Sequence, residues 1–294
     1  MRVQIIGKSK LWLSISAVLV ALALVSIMAK GLNLGIDFTG GSLFEIKFEK
    51  PITLQEINPT LDEIGKSIPQ FSANSRIAQV DEKGILLLRT QTLDETQKGT
   101  VLEGLKNYSK YEVLKSEKVG ATVGKELLNS AILSLILGSL LIIAYISFRF
   151  ELKFALGGVI ALLHDIIIAI GVIALLGYEI NSSFIAAILT ILGYSINDTI
   201  VVYDRIRENL KRHKGLSLEN IIDNSVNDVM TRSLNTSFTT LLAVLAVLIF
   251  GGDTLKSFMV TLLVGIGIGT YSSIFVASPI VYLLEGKLKS KIKL

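Results

Sequence analysis

Six long apolar stretches, residues 11–29, 127–148, 154–176, 183–203, 234–250 and 257–284, leave this 294-residue chain few ways to fold. A helix needs roughly 20 mostly apolar residues to cross the hydrocarbon of a bilayer. In lipid every backbone N–H and C=O must be paired within the protein, so such stretches cross as helices. The expectation is an α-helical membrane bundle of six transmembrane helices, with a short fifth span and a long sixth. A mean hydropathy of +0.60 and a hydrophobic share of 51% agree, being outside the ordinary range of soluble chains of this size.

Basic residues set the orientation, because short cytoplasmic loops accumulate Lys and Arg. Fifteen of the 29 lie on one face: Arg2, Lys8 and Lys10 before the first span; Arg149 and Lys153 after the second; Arg205, Arg207, Lys211, Arg212, Lys214 and Arg232 after the fourth; and Lys287, Lys289, Lys291 and Lys293 at the end. The short loops 177–182 and 251–256 hold one, Lys256. Both termini are therefore expected to be cytoplasmic, with the tail lysines close to anionic membrane lipid. The net charge of +4 is a topology signal and points to no nucleic acid partner. The first apolar run lacks a small-x-small cleavage site and reads as an anchor. With no cysteine, disulfides, thiol nucleophiles and thiolate metal sites are excluded.

Residues 35–119 carry 11 basic and 13 acidic side chains and are soluble in composition. Segment 42–48 sets Leu43, Phe44 and Ile46 against Glu45 and Lys47, as a strand does. Leu54, Ile57, Leu61 and Ile64 fall at helical spacing across 53–67, where Pro59 should kink the helix or start it afresh. Segments 76–80 and 85–89 read as a hairpin across Asp81-Glu82-Lys83-Gly84, 93–108 as a second helix and 111–119 as a last strand. The order βαββαβ predicts one α+β ferredoxin-like domain, extracytoplasmic at 35–120, between a first segment 1–34 and a bundle 121–294. It holds no histidine, phosphate loop or paired carboxylates, so it reads as a docking module and not an enzyme.

An ionisable group at the centre of a span costs at least ~2.5 to 3.5 kcal/mol, which makes each one a functional candidate. His164 and Asp165 fall at the middle of the third span, and as neighbours they are expected on different helix faces, one orienting a helix while the other relays nothing. Asp198 lies in the fourth, where Ser195, Asp198, Thr199 and Val202 share a face and Asn197 adds a second polar group. Arg232 opens the fifth span, with Thr236 one turn on, at a depth from which its side chain can reach Asp198. An arginine that approaches and leaves a carboxylate changes its proton affinity, which is the chemistry of a proton relay. The plainer reading is that these groups only hydrogen-bond neighbouring helices. Gly265-Ile266-Gly267-Ile268-Gly269 reads as a close-packing seam. No Gly-x-x-x-x-Gly-Lys-Ser/Thr loop occurs, so energy must come from a gradient or a partner, and no cofactor or metal is expected.

Four motifs in this order, Gly35-Ile36-Asp37-Phe38-Thr39-Gly40-Gly41, Leu163-His164-Asp165, the run 193–209, and Thr231-Arg232-Ser233-Leu234-Asn235-Thr236-Ser237, resemble the SecD/SecF family of the resistance-nodulation-division superfamily, in its SecF branch. The likeness covers almost the whole chain. It implies a bacterial inner-membrane subunit that pairs with the six-span half supplied by SecD. It further implies association with the SecYEG translocon and use of the proton motive force to finish preprotein translocation after SecA has acted. By motif match Asp198, Arg232 and Thr236 correspond to the family's proton pathway, and Asp37, Phe38, Gly40 and Gly41 to its motif after the first span. A drug exporter of the superfamily would carry two six-span halves. An intramembrane aspartyl protease would need a Gly-x-Gly-Asp signature, which is absent. A passive scaffold for membrane-protein insertion is the alternative that remains.

Overall fold

The computed structural model describes residues 3–81, 83–213, 215–252 and 255–292, with side chains through Glu285. Arg2, Glu82, Lys214 and Lys293, and the side chains of Lys287, Lys289 and Lys291, lie outside the described residues. In chain order the elements are α1 (Ser9–Lys30), α2 (Ile36–Thr39), β1 (Gly41–Phe48), α3 (Leu54–Ser67), β2 (Arg76–Val80), β3 (Ile85–Thr90), α4 (Glu95–Lys106), β4 (Tyr111–Val119), α5 (Ala121–Arg149), α6 (Leu152–Leu176), α7 (Ser182–Arg212), α8 (Leu218–Phe250), α9 (Lys256–Ser272) and α10 (Ser278–Ile292). Among the described residues six helices are long and apolar enough to cross a membrane, the sixth formed by α9 and α10 in succession. The chain divides into two compact units, one of residues 34–132 and one of 1–33 with 133–294.

The first of these is built on a four-stranded antiparallel sheet of order β2-β3-β1-β4. Phe44, Ile46, Leu86 and Leu88 meet Ile57, Leu61 and Ile64 of α3 and Val101 and Leu105 of α4 in its core. Capping residues start both helices: the Thr53 hydroxyl accepts from the Glu56 N–H, and the Asp94 carboxylate accepts from the Gln97 N–H at 2.7 Å while Gln97 returns a bond to the Asp94 N–H. Pro59 neither breaks nor restarts α3, which runs unbroken through it. The ring removes one bond near the start of the helix, and the buried stripe Ile57, Leu61 and Ile64 outweighs that loss. Burial, and then the Glu103 carboxylate, raises the Tyr111 phenol above its ordinary range, so its O–H stays donated to the Leu102 carbonyl at 2.6 Å. Excised as residues 34–120, this unit is expected to give a dispersed amide spectrum in water. Asp94→Ala should then cost it about 1 kcal/mol in urea unfolding through loss of the cap. Gly99→Ala, where an added methyl meets nothing within 4 Å, should not destabilise it.

In the other unit α6 and α7 bury the most residues and α8 and α9 bury several each, while α1, α5 and α8 also expose large apolar side chains such as Leu22, Leu141 and Phe250. Glycine lets the helices approach closely. A Cβ on Gly265 would stand 2.1 Å from Ile191, and one on Gly269 3.0 Å from Ser195, whereas Gly267 meets nothing. Two of the three glycines of the seam thus bring α9 against α7. The fifth span is not short: α8 starts at Leu218, and α7 continues to Arg212. Beyond their apolar parts the two helices pair through Arg205 with Asp228 at 2.6 Å and Asn209 with Ser225 at 2.9 Å. Such polar pairs were invisible to a reading by apolar length. In the sixth span Pro279 has no N–H for the Phe275 carbonyl and crowds it, and a single π turn at Ser273–Ala277 takes up the misfit.

Candidate functional site

Polar side chains gather where α6, α7, α8 and α9 meet. Asp165 of α6 is 1% exposed. Its Oδ1 lies 2.9 Å from His164 Nδ1, and its Oδ2 accepts from the hydroxyls of Ser195 at 2.5 Å and Ser272 at 2.8 Å. Asp198 of α7 is also buried, and its Oδ2 accepts from the Ser237 hydroxyl of α8 at 3.3 Å. Ser237 in turn accepts from Thr270 of α9 at 2.6 Å. The Thr199 and Ser273 hydroxyls lie 2.9 Å apart and each within reach of the Ser195 carbonyl, at 3.0 and 3.2 Å, so that one can donate to the other while the second donates to that carbonyl. Carboxylates in an apolar interior need such donors, since water is not there to supply them.

The face expected on α7 is found, with Ser195, Asp198, Thr199 and Val202 all buried. Asn197 is exposed and takes no part in the network. His164 and Asp165 do not divide between an inner and an outer face: both are buried, and they bind one another. The reason is that α6 is covered on several sides, by α1, α7 and α9, so neighbouring positions both meet protein.

Arg232 and Thr236 are exposed, and among the described residues no ion pair joins Arg232 to Asp198, although the guanidinium charge acts there through space. The Thr236 hydroxyl donates to the Arg232 carbonyl at 2.9 Å. Arg232 instead lines an open cleft of about 570 Å³ with Asp204, Arg205, Glu208 and Asp228. The face of α8 turned to Asp198 carries Ser233 and Ser237, one residue on from Arg232 and Thr236 in each turn. Ser237, which ends the motif 231–237, was given no role by sequence reasoning, and Thr270, Ser272 and Ser273 were missed by it. Their signal was the hydroxyl run Thr270-Tyr271-Ser272-Ser273 directly after the glycine seam, whose close approach to α7 puts those hydroxyls within reach.

Asp37, Phe38, Gly40 and Gly41 lie elsewhere, at the corner from α2 into β1. Phe38 is buried and Asp37 half-buried. Gly40 and Gly41 have φ of +70° and +136°, and a Cβ on Gly41 would stand 2.4 Å from the Thr90 carbonyl oxygen. Only glycine fits there, so the motif shapes the backbone.

A family model described as the C-terminal part of the protein export membrane protein SecD/SecF matches residues 99–287, and one for the SecD/SecF GG motif matches residues 25–52. The protein translocase subunit SecF of Sebaldella termitidis is 50% identical over 272 residues, covering 92% of this chain and 88% of that one. That of Calditerrivibrio nitroreducens is 38% identical over 291 residues, covering 98% and 95%. The crystal structure of SecDF from Thermus thermophilus, titled a translocon-associated membrane protein, matches with a TM-score of 0.90 and 36% identity. The match takes in 97% of this chain and 39% of that longer one. SecDF in its super-membrane-facing form matches with a TM-score of 0.73 and 34% identity, over 100% of this chain and 40% of the other.

Proposed function

The chain belongs to the SecD/SecF family of protein export membrane proteins, and on that premise we propose that it is the SecF half of a complex with SecD that uses the proton motive force to assist late preprotein translocation through SecYEG. SecA acts before it. The relay runs through Asp198, with Arg232 and Thr236 beside it on α8. The observation that carries this is a buried carboxylate held by the hydroxyls of neighbouring helices in a bundle of membrane-spanning length. An ionisable group kept at such a cost is expected to work. Arg232, exposed in the cleft, keeps a long and mobile reach toward that carboxylate.

In this reading the chain sits in a bacterial inner membrane with both termini in the cytoplasm. Residues 35–120 form a ferredoxin-like domain on the far side, a reading supported by the element order βαββαβ and the strand order β2-β3-β1-β4. The need for a second half is supported by the 39% share of the SecDF chain that this chain matches. The polar groups Arg232, Asn235, Thr236 and Thr239 on the exposed face of α8 also call for a cover other than lipid. Proteoliposomes holding SecYEG and this chain co-expressed with its SecD partner are expected to export more preprotein when a proton gradient is imposed. The same export with the gradient collapsed by an uncoupler would favour the passive scaffold.

A further inference from the structure

We infer that His164 and Asp165 form a second proton-exchange site, separate from Asp198, whose ligand is a proton bound at His164 Nε2. The inference deepens the proton-relay reading and rests on it. Asp165 Oδ1 lies 2.9 Å from His164 Nδ1, and its Oδ2 accepts from the hydroxyls of Ser195 and Ser272; with Asp165 as the carboxylate, which only accepts, the hydrogen of the first bond is on His164 Nδ1. His164 is 6% exposed, and its Nε2 is buried with no hydrogen-bond partner among the described residues. Buried polar atoms are as a rule paired, and an unpaired one calls for a reason.

The surroundings narrow the reason. The Tyr271 ring of α9 stacks beside the imidazole, with centroids 6.2 Å apart and planes at 27°. Its hydroxyl is already engaged with Ser16 and with the Trp12 carbonyl of α1, each at 3.1 Å, and so does not serve Nε2. Of the described groups that these hydrogen bonds and the ring contact bring to the pair, Trp12 and Ser16 on α1, Ser195 on α7 and Ser272 on α9 carry no charge, and Tyr271 is titratable. Asp198, three residues beyond Ser195, is turned to Ser237. An imidazole anchored through one nitrogen on a fixed carboxylate can take a proton on the other without losing its anchor. The proton adds to the Nε2 lone pair, giving an imidazolium beside the carboxylate, and leaves from the same nitrogen to restore the neutral ring. Helix α9 touches both acids, since Thr270 reaches the serine that holds Asp198 and Ser272 reaches Asp165 itself.

The chain has two histidines, so His213→Gln leaves His164 as the single imidazole for nitrogen-15 resonance in lipid nanodiscs. As the pH is lowered from about 9 to about 5 the signals are expected to pass reversibly from a neutral ring protonated at Nδ1 to a doubly protonated one. Asp165→Asn should move the midpoint by about one to three pH units, and Asp198→Asn should leave the transition in place. In vesicles with the SecD partner, His164→Gln should slow proton flux by about 10²-fold. An imidazole that stays in one state across that range, in a chain whose Trp12 fluorescence shows it folded, overturns the inference. So does wild-type flux in His164→Gln. Full flux in Asp198→Asn would instead defeat the relay at Asp198, so the two readings fail by different measurements.

Discussion

Asp198→Asn is expected to abolish the stimulation of preprotein export by a proton gradient while leaving SecA-driven initiation intact, with proton flux through the reconstituted pair falling by about 10²-fold or more. The argument is one of charge at constant shape. The carboxylate is 8% exposed and is held by hydroxyls, the nearest that of Ser237, which an amide oxygen can also accept from, so folding and packing should survive the change. What the amide cannot do is change its charge. Arg232 then sets a second ordering. Its exposed side chain lines the cleft without an ion pair to Asp198, so lysine, which keeps the charge but not the planar fork, should cost less than alanine. Asn197→Ala, one position from the acid but on the exposed face, should change flux little. Export in Asp198→Asn that still answers to gradient collapse as the wild type does would leave the passive scaffold as the better account.

Span number was legible because it depends on apolar length alone, and length alone is also why the ends of the fourth and fifth spans were misread. Helices α7 and α8 run on past the lipid-compatible stretch through Arg205, Asn209, Ser225 and Asp228, residues whose helicity depends on partners in the other helix. The strands and helices between Gly41 and Val119 were legible for a different reason: their faces alternate, and each apolar set is committed to one core. At the site, Asp198 and His164-Asp165 stood out as charges in apolar runs. Ser237, Thr270 and Ser272 did not, because a hydroxyl inside a membrane helix can satisfy itself on its own backbone, as Thr190 does on the Ala186 carbonyl. Which hydroxyls also reach a neighbouring carboxylate is settled by the rotation of α8 and α9 about their axes. The one-residue step from the Arg232 and Thr236 face to the Ser233 and Ser237 face is such a rotation.

Gly171→Val is expected to undock α1 from α6, and the chain's one tryptophan reports it directly. A Cβ at Gly171 would stand 2.3 Å from Ala23 Cβ, 2.5 Å from its Cα and 2.9 Å from its carbonyl oxygen, so the obstacle is largely backbone and no rotamer change relieves it. Overpacking of a fitted core costs about 1–3 kcal/mol. Helix α1 buries only Ser16, Ala23 and Ser26, and lipid offers no hydrophobic gain for docking a helix, so a seam of small residues, with the Tyr271 hydroxyl at Ser16 and the Trp12 carbonyl and Lys30 at the Leu175 carbonyl, is what holds it. Trp12 lies on this helix with its ring 4.4 Å from Phe275, and separation should expose it to lipid-borne quenchers. Gly193→Val, where nothing lies within 4 Å of an added Cβ, should leave the Trp12 signal unchanged. Ala23→Gly in the Gly171→Ala background removes the methyl-to-methyl clash but not the one with the Ala23 backbone. That pair should recover part of the docked signal and not all of it. Full recovery would mean that the helices have room to part by the remaining distance, and that the seam is less tight than a glycine there implies.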